Sequence, residues 1–354
     1  MYSKKEELEK FRKFKGPLID VRSPDEYYKG NLPNSINIPL FDNEERSKIG
    51  IIYKDYGKEK AVNKGLEFVA NKIENLIENF IEALNFYKSN NITSKLEEPI
   101  MKIYCARGGM RSFSISWLLE RYNLRNVTLK GGYKSYRKWT LDSFNKDFEL
   151  VVIGGKTGTG KTKLLNEIKL NNGQILDLEG IACHKGSLLG KDLNNNQPSQ
   201  KLFESLLYDA LKNINLRKNI YLEAESSKIG NLHIPQPLWK KMLSSKKINI
   251  ETTFESRVKF LLNDYKYAQL DNNFFKPLIN GLKRRLSKKI IADWKQHIKN
   301  KDWKQLTESL LTNHYDPAYI SNYEKKNQKI IKNFTFNKVT KSELNLLANK
   351  ILNL

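Results

Sequence analysis

Short apolar runs and amphipathic segments alternate along the first part of the chain. From Leu66 to Tyr87, apolar residues recur at the spacing of one helix face, which predicts a long amphipathic helix. A further helix is predicted at 112–122. Short apolar runs typical of strands lie at 17–21, 35–39, 100–104 and 127–129. Because strands alternate with helices, the pattern predicts a parallel, doubly wound α/β sheet.

A polar stretch without periodicity, at 142–148, separates this pattern from a second one. Residues 150–153 then form a fully apolar strand that runs into a glycine-rich turn. Further strands are predicted at 174–178, 219–223, 247–252 and 330–336, with a mainly helical, aromatic and basic region at 272–326. The chain of 354 residues is long enough for two hydrophobic cores. We therefore predict two α/β domains, residues 1–145 and residues 146–354, the second with a helical extension.

The charge of the chain indicates the class of its partner. Lys and Arg number 62 against 39 Asp and Glu, which gives a formal net charge of +23. Such an excess favours a polyanion, because neutralised phosphates release condensed counterions. Two other interpretations stay open: the many Lys and Asn residues could reflect an AT-rich genome, and basic chains also bind anionic membranes.

Cys105 and Cys183 are the only cysteines, and they lie far apart in sequence. This excludes a disulfide scaffold and a multi-cysteine metal site. The charged start of the chain lacks the apolar segment of a secretory signal, and no uncharged apolar run is long enough to span a bilayer. We therefore expect a soluble cytoplasmic protein with reduced thiols and no membrane partner.

The segment YCARGGMRS at 104–112 places Cys105 between a predicted strand and a predicted helix. Backbone amides and the helix dipole stabilise negative charge there, which favours a thiolate and attracts a tetrahedral anion. A lone buried cysteine is usually structural, and this interpretation suits Cys183. For Cys105 the loop predicts a catalytic thiol with an anion cradle formed by Arg107, Gly108, Gly109, Met110 and Arg111.

The spacing from Cys105 to Arg111 also fits cysteine phosphatases, and local chemistry does not separate phosphate cleavage from chalcogen transfer. The flanking segments at 20–27 and 30–39 resemble the start of a rhodanese domain, and Gly131-Gly132-Tyr133 resembles its end. Asn31 stands where rhodaneses commonly carry His, and we expect a structural consequence. Tyr104 stands where tyrosine phosphatases have a His, which weakens the phosphatase interpretation without removing it.

A complete G-x-x-x-x-G-K-[ST] motif follows the apolar strand at 150–153 and precedes a helical segment. Its glycines let backbone amides surround a diphosphate, Lys161 neutralises charge, and the Thr162 hydroxyl could ligate Mg²⁺. The motif predicts a phosphate site without establishing nucleotide hydrolysis. Its residues are Gly155, Lys156, Thr157, Gly158, Thr159, Gly160, Lys161 and Thr162.

Acidic residues at two strand ends are candidates for a metal ion or its surroundings. Asp177 and Glu179 follow the run at 174–178, and an acid in that position could equally cap the next helix. Glu223 and Glu225 are alternatives. The identity of any metal stays open.

A rhodanese loop followed by a P-loop in one chain resembles the tRNA 2-selenouridine synthase family, and the similarity covers nearly the whole chain. A departure is Ala106, where family members carry a larger residue. The segments that carry the resemblance are YCARGGMRS at 104–112, LKGGYKSYRKW at 129–139, GGKTGTGKT at 154–162, LDLEG at 176–180, HKGSLLG at 184–190, QPSQKLFESLL at 197–207, ESSKIG at 225–230 and HYDPAY at 314–319.

The resemblance implies replacement of sulfur by selenium in a wobble 2-thiouridine of tRNA, with selenophosphate as donor. It also implies S-geranylation of that base by geranyl diphosphate. As a hypothesis, the loop at 155–162 holds the prenyl diphosphate, while Cys105 handles selenophosphate through a Cys–Se adduct. A protein that supplies selenophosphate would be a further partner.

An anticodon loop is single-stranded, so its wobble base can be unstacked into a pocket. A basic run on a predicted helix is the best local candidate for contacting the flanking backbone, although a solvated helix face explains it equally well. Trp294 and Trp303 could stack on bases but are more often core residues. The run comprises Lys283, Arg284, Arg285, Lys288 and Lys289.

Three other classes of function stay open at this stage. A rhodanese-type sulfurtransferase would use a Cys105 persulfide and no prenyl donor. A kinase or NTPase acting on RNA would turn over a nucleotide at Lys161. A non-catalytic tRNA-binding protein would bind without forming a product.

Overall fold

The computed structural model describes residues 5–91, 98–184, 196–264, 275–283, 285–324 and 329–354. Two compact units divide the chain. The first comprises Met1–Ser143 together with Ser199–Leu206, and the second comprises Phe144–Pro198 and Leu207–Leu354. The predicted division into residues 1–145 and 146–354 does not include the segment Ser199–Leu206 in the first unit.

The first unit is built on a five-stranded parallel sheet with the order β1-β5-β4-β2-β3. This is the parallel α/β arrangement that the alternating pattern predicts. Its elements are β1 (Lys5–Glu6), α1 (Leu8–Lys13), β2 (Leu18–Asp20), α2 (Pro24–Tyr28), β3 (Ile36–Asn37), α3 (Asn43–Ala70), α4 (Ile73–Asn90), β4 (Met101–Tyr104), α5 (Met110–Arg121), β5 (Asn126–Leu129) and α6 (Gly132–Ser143).

The core of the first unit forms where the central strands meet α4 and α5. Ile19 and Ile103 are fully buried on β2 and β4, and Phe80 and Leu119 of the two helices pack into the same cluster. The prediction of one helix from Leu66 onward is wrong, because α3 ends before α4 begins. Phe68 and Val69 of α3 pack against the same core cluster as α4, but the helix is interrupted between Ala70 and Ile73, and Leu66 is 63% exposed.

The second unit contains a five-stranded parallel sheet of order β12-β11-β6-β8-β7, and a separate antiparallel hairpin, β9–β10. Its elements are β6 (Leu150–Gly154), α7 (Lys161–Leu170), β7 (Gln174–Ile175), α8 (Leu178–Ala182), α9 (Gln200–Lys212, which begins in Ser199–Leu206), β8 (Ile220–Glu223), β9 (Lys228–Ile229), β10 (Leu232–His233), α10 (Gln236–Ser244), β11 (Lys246–Thr252), α11 (Phe254–Asp264), α12 (Lys276–Leu282), α13 (Lys288–Lys299), α14 (Trp303–Leu310), a π-helical turn (Leu311–Tyr315), α15 (Asp316–Glu324), β12 (Ile330–Phe336) and α16 (Lys341–Leu352).

Strand β6 lies between β11 and β8, so every one of its residues is buried. A central strand covered on both faces has no solvent side, which explains its uninterrupted apolar sequence. Helices α7 and α16 pack on this sheet through Leu164 and Leu347. The predicted helical extension is present as α12–α15, with its own cluster around the fully buried Trp294.

None of the helices in the described part of the chain combines the length and the apolar character that crossing a membrane requires.

Candidate active sites: a cysteine loop and a phosphate-binding loop

Cys105 follows the last residue of β4, and its loop leads into the N-terminus of α5. Two glycines hold the loop against the start of α6. A Cβ on Gly108 would lie 2.7 Å from the Leu129 carbonyl oxygen, and one on Gly132 would lie 2.3 Å from the Cys105 carbonyl oxygen. Both glycines have positive φ, 62° and 56°. The Cys105 carbonyl accepts a 2.8 Å hydrogen bond from the Tyr133 amide. Gly108 and Gly132 therefore allow the backbone of the cysteine loop to contact the backbone at the start of α6.

The thiol of Cys105 is stabilised as an anion by its own loop. Its Sγ lies 3.2 Å from the Ser112 hydroxyl oxygen, and the backbone amides of Arg107 and Ser112 also point to it. Burial raises the pKa of the Cys105 thiol, but these hydrogen bonds and the charge of Arg111 outweigh burial, and the pKa falls below its usual value. The residue is only 3% exposed. The loop therefore favours a thiolate that is shielded from most solvent.

The residues of the predicted cradle take different positions. Gly109 caps α5, and Met110, half exposed, is its first residue. Arg107 is exposed. Arg111 makes a two-point ion pair with Glu26, at 2.6 and 3.2 Å. Arg111 thus acts on the thiol through its charge while Glu26 fixes its guanidinium group.

A buried ion pair supports the same strand ends. Arg22 lies 2.6 Å from Asp20, and its guanidinium group stacks 3.9 Å from the centroid of the Tyr133 ring. The Tyr104 hydroxyl accepts a hydrogen bond from the Leu32 amide and contacts the Ser35 hydroxyl. The residues at 20–22 and 131–133 therefore hold the backbone around the cysteine loop in place, and their contacts do not involve the thiol.

Asn31 has a structural contact in this unit. Its side-chain amide donates to the Tyr27 carbonyl oxygen at 3.3 Å. This agrees with the structural consequence expected where rhodaneses commonly carry His.

The P-loop connects β6 to α7 with a backbone that only glycine adopts freely. Gly158 and Gly160 have φ of 86° and 79°. The Lys161 ammonium group donates to the Gly155 carbonyl at 3.0 Å, and the Thr159 hydroxyl donates to the Lys156 carbonyl at 2.9 Å. These two hydrogen bonds hold the loop in a curled conformation. Its backbone amides lie at the N-terminus of α7, which is a favourable position for binding a diphosphate.

Arg257 and Asp316, for which the sequence predicts no role, support the P-loop through a hydrogen bond and an ion pair. Arg257 is 3% exposed and donates from Nε to the Thr157 carbonyl at 2.8 Å. Its guanidinium group also makes a two-point ion pair with Asp316, at 2.9 and 2.6 Å. Asp316 lies in the segment HYDPAY, which was the available sequence signal, whereas nothing around Arg257 indicates its role.

Three glutamates gather beside the P-loop. Carboxylate oxygens of Glu179, Glu223 and Glu225 lie within 4.8 Å of one another. Burial raises the pKa of Glu179 to about 9, with further contributions from Glu223 and Glu225 that Lys161 partly offsets. The Thr162 hydroxyl lies 3.5 Å from Glu179 and is also hydrogen-bonded to Glu223.

This geometry adds the two alternative residues to the predicted metal candidates, and the role of Asp177 and Glu179 stays a prediction. Asp177 accepts a hydrogen bond from the Gly180 amide at 2.8 Å and caps α8. It follows β7, the edge strand, whereas Glu223 ends β8, which adjoins the P-loop strand β6. Glu223 and Glu225 therefore join Glu179 at the phosphate site, and Asp177 caps α8 while its charge contributes to raising the pKa of Glu223.

The basic run does not lie on one helix. Lys283 follows the end of α12, Ser287 caps α13, and Lys288 and Lys289 begin that helix. Lys283, Arg285, Lys288 and Lys289 are exposed, and Arg284 lies outside the described residues.

Of the two candidate tryptophans, Trp294 lies in the interior of the helical extension and Trp303 is partly buried at its edge. Trp294 is fully buried, with its indole N–H donating to Ser309 at 2.7 Å. Trp303 packs against the same apolar cluster and stacks on Phe275. Neither is an exposed platform for bases.

One α/β unit with a low-pKa cysteine loop and a second with a P-loop define a two-domain protein that combines a nucleophilic and a phosphate-binding site. The rhodanese-like domain profile matches residues 4–138, and the profile of the tRNA 2-selenouridine synthase AAA domain matches residues 148–346. The chain therefore belongs to the tRNA 2-selenouridine synthase family.

Curated relatives match over most of their length. A tRNA 2-selenouridine synthase of Sulfurovum sp. (strain NBC37-1) is 30% identical over 346 residues, which cover 89% of this chain and 91% of the relative. One of Marinobacter nauticus (strain ATCC 700491 / DSM 11845 / VT8) is 30% identical over 347 residues, 89% of this chain and 90% of the relative. One of Pseudomonas syringae pv. syringae (strain B728a) is 31% identical over 348 residues, again 89% and 90%.

Proposed function

We propose that this chain replaces sulfur by selenium in the wobble 2-thiouridine of tRNA, using geranyl diphosphate at the P-loop and selenophosphate at the cysteine loop. The observation that carries the proposal is the presence, in a chain of this family, of a thiol with a lowered pKa and a complete P-loop. Each site suits a different anion. The proposed reaction is a transfer in two stages.

In the first stage, the sulfur of thiouridine attacks C1 of geranyl diphosphate. A C–S bond forms, the C–O bond to the diphosphate breaks, and the base releases its ring N–H proton to solvent. Lys161 and the loop amides receive the diphosphate, whose charge grows as it leaves. This stage converts a doubly bonded sulfur, which is a poor leaving group, into an alkylated sulfur that departs as a thiol.

The acidic residues beside the P-loop fit a magnesium ion. One buried oxygen of Glu223, a residue 5% exposed, has no hydrogen-bond partner among the described residues. Oxygen ligands from Glu179, Glu223, Glu225 and Thr162 match the preference of Mg²⁺. When bound, the ion would neutralise charge on the leaving diphosphate.

In the second stage, Cys105 attacks the phosphorus of selenophosphate. An S–P bond forms, the P–Se bond breaks, and selenium leaves as selenide. The hydrogen selenide anion attacks C2 of the geranylated base and the C–S bond breaks. The proton of hydrogen selenide restores the ring N–H, and the departing geranylthiolate takes a proton from water to leave as geranylthiol. Water then hydrolyses the S–P bond, which releases phosphate and restores the thiol.

This route replaces the Cys–Se adduct expected from the family resemblance. Selenium in selenophosphate is already selenide, so a Cys–Se bond would require an oxidant, whereas attack at phosphorus requires none. The 3% exposure of Cys105 also favours a small anion over a nucleobase as its reaction partner. Donation from Ser112 and the charge of Arg111 keep the thiol ionised for that attack.

The net charge of +23 supports tRNA as the polyanionic substrate. A separate protein that makes selenophosphate would supply the second donor. Since tRNA is the proposed substrate, the proposed place of action is the cytoplasm.

Nucleoside mass spectrometry tests the proposal. Thiouridine tRNA is incubated with selenophosphate, with and without geranyl diphosphate, and with wild type, Cys105→Ser or Cys183→Ser. We expect selenouridine from wild type and Cys183→Ser only when both donors are present, and S-geranylated base from Cys105→Ser.

Two results would change this account. Undiminished selenation by Cys105→Ser would remove the thiol from the reaction. No nucleoside product under any condition, together with transfer of sulfur from thiosulfate to cyanide, would favour a rhodanese-type sulfurtransferase.

A further inference from the structure

A buried arginine fixes one peptide group of the P-loop. Arg257 of α11 is 3% exposed, and its Nε donates to the Thr157 carbonyl oxygen at 2.8 Å. The two other nitrogens of its guanidinium group donate to the Asp316 carboxylate at 2.9 and 2.6 Å. Because a guanidinium group is planar and rigid, these three hydrogen bonds together define its position.

The hydrogen bond to Thr157 also sets the direction of the next amide. The Thr157–Gly158 peptide is planar and trans, so its C=O and N–H bonds point in opposite directions. Since Arg257 holds the carbonyl, the Gly158 N–H is directed away from α11. The loop uses the Thr159 amide itself, which donates to the Lys156 carbonyl at 3.2 Å, whereas the Gly158 amide has no acceptor among the described residues. The Gly158 amide is therefore available to a bound anion.

Helix α11 leaves the loop little freedom at this point. A Cβ on residue 158 would lie 3.1 Å from the Arg257 carbonyl oxygen and 3.1 Å from the side chain of Leu261. Gly158 also has a φ of 86°, which favours glycine. The same helix therefore packs on Gly158 and holds the carbonyl that precedes it.

Asp316 reaches Arg257 from the end of a π-helical turn. The turn, Leu311–Tyr315, joins α14 to α15, and Asp316 is the first residue after it. A π-helical turn contains more residues than an α-helical turn, so it changes the direction of the side chains that follow, and such turns are frequent at functional sites. The Asp316 carboxylate also lies 4.0 Å from the ammonium group of Lys156 in the P-loop.

We propose that Arg257 and Asp316 are positioning residues of the phosphate site. Through the Thr157 carbonyl they orient the Gly158 amide so that it donates to a phosphate oxygen of the ligand. The inference rests on the proposed function for the class of ligand, a diphosphate, and deepens it by assigning the residues that prepare the loop. Neither side chain contacts the ligand.

An NMR measurement on wild type tests the amide assignment. Thr157–Gly158 and Thr159–Gly160 are the only Thr-Gly pairs in the sequence, so threonine labelled with ¹³C at the carbonyl and ¹⁵N-glycine select these two amides. Thr159→Ser tells the two signals apart. We expect the Gly158 amide proton to move downfield when inorganic diphosphate and Mg²⁺ are added, because the amide gains a charged acceptor. Movement of Gly160 alone would overturn the inference.

Two conservative variants separate positioning from charge. Arg257→Lys keeps the positive charge but loses the planar group with three fixed donors. Asp316→Asn removes a negative charge near the phosphate site, which by charge alone would tighten binding of an anion. The proposal instead predicts that both variants bind inorganic diphosphate more weakly in isothermal titration calorimetry with Mg²⁺. We expect a loss of about tenfold or more for Arg257→Lys, typical of one hydrogen bond to a charged group.

A matched control comes from the first unit. Arg137 likewise donates to a carbonyl oxygen, that of Lys201, and to a carboxylate, that of Glu204. Arg137→Lys should bind diphosphate like wild type. Far-UV circular dichroism and the Tm without ligand show whether each variant is folded, and the wild-type NMR result decides if Arg257→Lys is not.

The outcomes distinguish this inference from the proposed function. Folded Arg257→Lys with wild-type affinity for diphosphate would mean that the arginine only stabilises the fold, and tighter binding by Asp316→Asn would mean that the carboxylate acts only by its charge. Either result would overturn the positioning role and leave the phosphate site intact. No binding of diphosphate to wild type would overturn both the inference and the proposed role of the P-loop.

Discussion

At the scale of single residues, the reactivity of Cys105 depends on a balance between burial and donated hydrogen bonds. Burial alone would keep the thiol protonated, since it raises the pKa. Ser112, in the first turn of α5, is the strongest of the opposing groups, and its hydroxyl lies 3.2 Å from the sulfur. The Cys105 thiolate is therefore stabilised mainly by Ser112, a residue that is itself only 1% exposed.

Ser112→Ala should raise the pKa of Cys105. The rate of thiol alkylation by iodoacetamide falls as the pH drops through that pKa, so the fall should occur at higher pH in the variant than in wild type. The measurement is the alkylation rate of Cys105 as a function of pH, followed by peptide mass spectrometry because Cys183 is also free. Ser116→Ala removes another buried serine of α5, one that contacts Asn126, and should leave the profile unchanged. Superimposable profiles for Ser112→Ala and wild type would contradict this account.

At the scale of elements, the position of a loop follows from which strand ends lie side by side. The start of α6 touches the cysteine loop so closely that Gly132 has no room for a Cβ, whereas Gly109 has nothing within 4 Å of one. Gly132 also has a φ of 56°, and Gly109 a φ of −100°. The two glycines thus differ in both space and backbone conformation.

Gly132→Ala should lower the free energy of unfolding by about 2 kcal/mol or more, because the left-handed backbone costs about 1–3 kcal/mol and the contact with Cys105 adds to it. Gly109→Ala, at a helix N-cap, should cost less than about 1 kcal/mol. Urea unfolding of both variants gives the comparison. Equal losses would mean that the contact between Gly132 and the cysteine loop contributes nothing to stability.

The same reasoning applies to the glutamates at the ends of neighbouring elements. Mg²⁺ that binds only the folded chain should raise its Tm, by an amount equivalent to about 2.7 kcal/mol at a hundredfold excess over Kd. Glu223→Gln should remove this response and raise the Tm measured in EDTA, since a buried carboxylate beside two others is costly. Glu251→Gln removes an exposed carboxylate at the end of β11 and should keep the response. A full Mg²⁺ response in Glu223→Gln would place the ion elsewhere.

At the scale of the whole molecule, charge governs the encounter with tRNA. A chain of net charge +23 should bind tRNA with an affinity that falls steeply as salt rises. The exposed basic residues from the end of α12 to the first turn of α13 are one contribution among the 62 Lys and Arg residues of the chain.

Arg285→Ala with Lys289→Ala should weaken tRNA binding and reduce the slope of log K against log salt by about two. Lys54→Ala with Lys58→Ala removes equal charge from exposed positions of α3 and should change the slope less. Binding is measured by filter retention across a salt series. Equal effects of the two double variants would remove the basic run as a specific contact.

The sequence predicts those features that depend on neighbours in the chain. The apolar run of β6, the glycines of both loops and the final strand at 330–336 follow from local patterns. Strand order does not, and it brings Glu223, at the end of β8, next to the P-loop strand β6. The pair Arg257–Asp316 joins distant segments, so no local pattern indicates it.

The central claim is that the P-loop serves prenylation and Cys105 serves selenation. Thiouridine tRNA that already carries the S-geranyl group is given selenophosphate but no geranyl diphosphate, with Lys161→Ala or Cys105→Ser, and the nucleosides are measured by mass spectrometry. We expect Lys161→Ala to form selenouridine from this tRNA but not from thiouridine tRNA supplied with both donors, and Cys105→Ser to form it from neither. Failure of Lys161→Ala on the geranylated tRNA, or selenouridine formed by Cys105→Ser, would contradict the division of the reaction between the two sites.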